Sequence, residues 1–128
     1  MKKNYKGILV ACSLFLFMFF MAGCTTKGIW IGTSVPGHVK ASYKDFNGPE
    51  DTTISLKKGQ TIHFEYESKI TKGQLSIKLL DPKGNTSAEL NSNEKGSKEV
   101  KAETSGQYKL EIEGKKNSGS FDISWKVK

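Results

Sequence analysis

From His38 onward, apolar side chains recur at every second position in short runs bounded by glycine, proline and asparagine. A period of two puts alternate residues on one face of an extended chain, so each run predicts a half-buried strand. Val39, Ala41 and Tyr43 form the first set, and Asn47-Gly48-Pro49 is expected to break it. Ile54 and Leu56 follow, with a turn at Lys57-Lys58-Gly59. Ile62, Phe64 and Tyr66 then share one face, while His63, Glu65 and Glu67 share the other. After a turn at Thr71-Lys72-Gly73 come Leu75, Ile77 and Leu79, the cleanest inward set of the chain.

Asp81-Pro82-Lys83-Gly84 is a turn with a physical basis, because proline pre-sets the first central dihedral and glycine suits the exit. Ala88 and Leu90 predict a weak strand, Asn91 to Ser97 a polar loop, and Val100 and Ala102 a short strand ended by Ser105-Gly106. Tyr108, Leu110 and Ile112 form a further strand, and Gly114 to Gly119 are expected to turn the chain back into Phe121, Ile123, Trp125 and Val127. No segment keeps a helical period with caps. About eight short strands predict an all-β fold, an antiparallel β-sandwich of jelly-roll-like form over residues 38–128. Its expected core is Ile54, Leu56, Ile62, Phe64, Leu75, Ile77, Leu79, Tyr108, Leu110, Ile112, Phe121, Ile123 and Trp125.

The front of the chain follows another pattern. Lys2, Lys3 and Lys6 precede an uncharged apolar run of 15 residues from Ile8 to Ala22, shorter than the roughly 18 expected of a spanning helix. The small residues Ala22 and Gly23 then lead into Cys24, which is a secretory layout. With a cysteine at the cleavage point, Met21-Ala22-Gly23-Cys24 resembles the lipobox of bacterial lipoprotein signal peptides. The resemblance implies that residues 1–23 are removed and that Cys24, as first mature residue, carries a diacylglycerol on its sulfur. Each buried methylene contributes about 0.8 kcal/mol, and stable anchoring takes about two chains, which a diacylglycerol supplies. Residues 24–37 are expected to be the lipidated cysteine and its tether. Within them, Ile29-Trp30-Ile31 is either a first strand or an aromatic turned towards the bilayer, and residues 32–37 form a flexible stretch.

A second resemblance rests on three stretches in order, Leu56-Lys57-Lys58-Gly59-Gln60-Thr61-Ile62, Leu75 to Asn85, and Ser105-Gly106-Gln107-Tyr108-Lys109-Leu110-Glu111-Ile112. Over roughly residues 50–128 they resemble the bacterial pre-peptidase C-terminal domain. That family implies a jelly-roll-like sandwich of the kind appended to secreted enzymes, usually proteases.

Charge narrows the function classes. Every basic residue is lysine, and beyond the signal 17 lysines face 13 acids, for a net charge of about +4. Without arginine the chain lacks the planar fork used on guanine edges and phosphates, and its lysines alternate with acids as on a solvated surface. Nucleic acid is therefore not an expected partner. Cys12 leaves with the signal and Cys24 goes to lipid, so no thiol remains for a disulfide, a metal or a nucleophile. His38 and His63 are the only histidines, with His63 on an outward face, and no metal-ligand or phosphate-loop spacing occurs.

The expectation is a non-catalytic, lipid-anchored protein on the extracytoplasmic side of the cell membrane, without cofactor or metal. It would bind an envelope protein. The alternative is a glycan or cell-wall polymer bound on exposed aromatics, for which Trp30, Tyr43 and Phe46 are the candidates.

Overall fold

The computed structural model describes residues 26–128 and shows an all-β, antiparallel architecture. It has six strands: β1 Ile29–Val35, β2 His38–Leu56, β3 Thr61–Leu80, β4 Thr86–Leu90, β5 Lys95–Lys101 and β6 Gly106–Val127. The sheet order is β1-β2-β6-β3-β4, with β5 also paired to β3.

The expected count of about eight short strands gives way to three long strands and three short ones. Asn47-Gly48-Pro49, Thr71-Lys72-Gly73 and Gly114 to Gly119 are bends inside β2, β3 and β6, not turns between strands. The cause is registry. The bends lie side by side, with Phe46 opposite Asn117, Gly48 opposite Gly114, Lys72 opposite Ser118 and Gln74 opposite Lys115, so pairing resumes beyond each irregularity. Bulges of this kind kink a strand without ending it. Left-handed backbone supplies the curvature, at Asp45 and Gly48 of β2, Gly73 of β3, and Lys116 and Gly119 of β6. Glycine is required at 73 and 119, where a Cβ would collide with the Lys116 and Lys69 carbonyl oxygens respectively.

Folding the sheet along this line makes two leaves. The first holds β1, residues 38–43 of β2, 119–127 of β6, 61–70 of β3, and β5. The second holds residues 48–56 of β2, 106–114 of β6, 74–80 of β3, and β4. Alternate residues of both leaves meet in one core, which is the packing of a β-sandwich. Twelve of the thirteen expected core residues are buried, and Trp125 is the exception: it is half-buried against Phe64 at an end of the sandwich. Val127, in phase with that set, is exposed.

Two further boundaries shift. Val35 still pairs with His38, so Ile29–Val35 is a strand of the sandwich inside the stretch expected to be tether. Of the stretch expected to be flexible, only Pro36-Gly37 stays outside a strand, as the tight turn between β1 and β2. Likewise Lys95 to Ser97, expected in a loop, pair with Glu67 to Glu65 as the start of β5. The turn after β3 forms as expected: the Lys83 and Asn85 N–H groups both donate to Asp81 Oδ1 at 2.9 Å. Tyr108 packs into the core and donates its hydroxyl to the Thr104 carbonyl four residues upstream (2.8 Å), fixing the approach to β6.

Candidate functional site

Cys24, the one site residue expected from the sequence, lies outside the described residues. Thr26 and Asn47 exchange both backbone hydrogen bonds (3.0 and 2.9 Å), so the chain is pinned to the bend of β2 two residues after the cysteine.

β1 follows at once and presents two different faces. Trp30 points inward, stacked on Tyr43 at 5.3 Å and meeting Phe46 and Phe121 edge-on at 5.1 and 5.9 Å. The Lys27 ammonium sits 4.3 Å above the indole and pairs with Glu50. Tyr43 and Phe46 are buried, so the three aromatics weighed as a sugar platform form one end of the core instead. The opposite face of β1 is apolar and in water: Ile29, Ile31 and Val35 are 58%, 74% and 49% exposed. Among the described residues β1 pairs with β2 along one edge only, and no residue from Ile29 to Val35 is charged. A shallow groove of about 450 Å³ runs from Ile29 and Ile31 past Lys44 to Lys69 and Thr71. Exposed edge strands normally carry charge or proline that blocks pairing with another chain, and β1 carries neither.

The outer face of the first leaf is polar. Across β2, β6 and β3, His38, Ser124 and Glu65 lie in one row, and Lys40, Asp122 and Glu67 in the next. His38 Nε2 is 2.6 Å from Asp122 Oδ1, whose second oxygen lies 4.0 Å from Lys40 Nζ. His63 Nδ1 is 3.3 Å from Glu99 and its Nε2 is 3.8 Å from Glu65. Each imidazole thus faces carboxylates at a solvated surface. Among the described residues no hydroxyl is hydrogen-bonded to either ring, and no cluster of three or more His, Cys, Asp or Glu has the geometry to hold a metal. This face can form ion pairs, but it does not align a nucleophile with a base.

Behind β1 a buried polar centre joins the bends. Asn117, wholly buried, accepts the Tyr43 hydroxyl proton at 2.5 Å and donates to the Lys72 carbonyl at 2.9 Å. Burial pushes the Tyr43 phenol up to about 12, because a phenolate there would lose its hydration. Sequence reasoning did not find Asn117. Its only signal is a place between Gly114 and Gly119, which equally marks a turn.

No protein-family model matches the chain, that of the pre-peptidase C-terminal domain included, and no curated protein matches it. Solved structures are similar to it at low identity and with TM-scores below 0.5. The periplasmic inhibitor of g-type lysozyme from Aeromonas hydrophila, PliG, is 14% identical over 73% of this chain and 92% of its own, with a TM-score of 0.49. A mutant of the family 29 carbohydrate-binding module CBM29-2 is 10% identical over 82% and 79%, with a TM-score of 0.46. A CBM4 structure is 9% identical over 84% and 79%, with a TM-score of 0.49.

Proposed function

We propose that this chain is an exported, non-catalytic binding protein, held by lipid on Cys24 at the extracytoplasmic face of the membrane, which takes a protein partner along β1. The observation that carries this reading is the uncharged edge of β1, which no other described strand pairs with, with Ile29, Ile31 and Val35 in water. A partner strand laid along that edge would gain main-chain hydrogen bonds, and pockets beside the isoleucines would supply selectivity. Burial of Tyr43 and Phe46 leaves the glycan alternative without the stacking platform it called for.

A photoreactive side chain at Thr33, crosslinked in intact membranes, tests the partner. One recurrent adduct is expected, and Ile31→Lys with Val35→Lys should lower its yield roughly tenfold, equivalent to about 1.4 kcal/mol of lost affinity. An adduct unchanged by those lysines, or retention of the purified protein on cell-wall polymer with no protein adduct, would refute docking at β1. The anchor is read separately. Cys24→Ala should abolish diacylglycerol on the N-terminal peptide by mass spectrometry, and a wild-type peptide without lipid would end that half of the reading.

A further inference from the structure

The three bends that fold the sheet also gather charge that is dispersed along the sequence. Residues 44–48, 69–74 and 115–119 hold Lys44, Lys69, Lys72, Lys115 and Lys116 against Asp45. Glu94, whose carbonyl accepts the Ser68 N–H beside the β3 bend, and Glu113, beside Lys115, are neighbouring acids, and the lysines are in excess. All five lysines are exposed, and among the described residues none of their ammonium groups forms an ion pair or hydrogen bond. They belong to one ridge. Lys116 donates its N–H to Asn47 Oδ1 at 2.8 Å, Asn117 holds the Lys72 carbonyl at 2.9 Å, and Gly73 packs against the carbonyls of Lys115 and Lys116.

The chain enters the sandwich at this same ridge, because Asn47 is the partner of Thr26. Thr26 follows Cys24 by two residue steps, with only Thr25 between them, a reach of only about 7 Å even when fully extended. A lipid on Cys24 would therefore bring the ridge, and no other end of the sandwich, to the headgroups. The opposite pole, with the turns at residues 57–60 and 81–85, lies one half-strand away, roughly 25–30 Å at 3.3–3.4 Å per residue.

We propose that the bend ridge seats on anionic phospholipid headgroups, so that the lysines act as a second membrane signal beside the acyl chains and hold the sandwich upright. The proposal rests on the anchored reading above. One acyl anchor fixes a point and leaves rotation free, whereas a basic patch beside it selects one orientation on a negatively charged surface. In that orientation β1 runs from the surface outwards with its free edge to the side, accessible to a partner.

Lysine acetylation footprinting of the full protein isolated from membranes tests this. The protein is reconstituted in phosphatidylcholine vesicles with or without phosphatidylglycerol. Lys44, Lys69, Lys72, Lys115 and Lys116 should react several-fold more slowly in the anionic vesicles, salt should restore their reactivity, and Lys57, Lys58 and Lys83 should not change. Equal reactivity at both poles, or equal protection in neutral and anionic vesicles, overturns the proposal. The mass of the N-terminal peptide in the same digest reads the anchor independently. A protected ridge without lipid would sink the anchor and keep the seat, and lipid with a reactive ridge would do the reverse.

Discussion

Tyr43 and Asn117 show how much of the sandwich hangs on single side chains. Each buries a polar group whose hydration is replaced by one strong contact, 2.5 Å long, between the two. Tyr43→Phe keeps the ring but leaves the Asn117 carbonyl oxygen without its donor, an expected loss of about 1–3 kcal/mol in denaturant unfolding. The raised phenol adds a pH dependence with a definite sign. The folded value, about 12, lies above the ordinary 10, so this contribution is complete below pH 10 and is lost as pH rises through 12. Alkaline melts should show a drop between those values that Tyr43→Phe diminishes, and identical alkaline profiles for both proteins would place the titration elsewhere.

The long strands were half legible. Alternation located the inward residues on both sides of every bend, because side-chain period depends only on the extended backbone. It could not tell a bend from a turn, since glycine with asparagine or lysine serves both. The difference lies in whether the neighbouring strands bend at the same place, and that is a property of pairing. Gly119 tests the point. A turn residue in open solvent would tolerate Gly119→Ala cheaply, but here φ is 152° and the Lys69 carbonyl blocks the Cβ. The substitution should cost at least about 2 kcal/mol, read as a lowered midpoint in urea. A neutral result would contradict the stacked bends. β1 also illustrates the limit: Ile29-Trp30-Ile31 announced a strand or a surface cluster, and pairing with β2 decided that the tryptophan goes in and the isoleucines out.

At the scale of the molecule, β6 is the spine. It pairs with β2 on one side and β3 on the other along both leaves, whereas among the described residues β1, β4 and β5 each pair on one side. Opening β6 means breaking both leaves at once. Its central amides should therefore exchange with solvent slowest, at least about tenfold slower than those of β1, in native-state hydrogen exchange. Exchange at β1 as slow as at β6 would show that the outer edge is covered by something already bound. The low protection expected of β1 also fits its proposed work, since a strand that accepts a partner must present unpaired backbone.

The sequence by itself determined the all-β class, twelve of thirteen inward positions and the turn at Asp81 to Gly84. Each follows from period, from dihedral preference or from a side chain acting within a few residues of itself. Only the tertiary structure decided that three turn-like stretches are one fold line, that the aromatics weighed for sugar are core, and that five lysines from three strands share a ridge with the chain's point of entry. The physical reason is the same in every case. These facts concern which distant residues lie side by side, and spacing along a chain says nothing about neighbours across a sheet until the strands are paired.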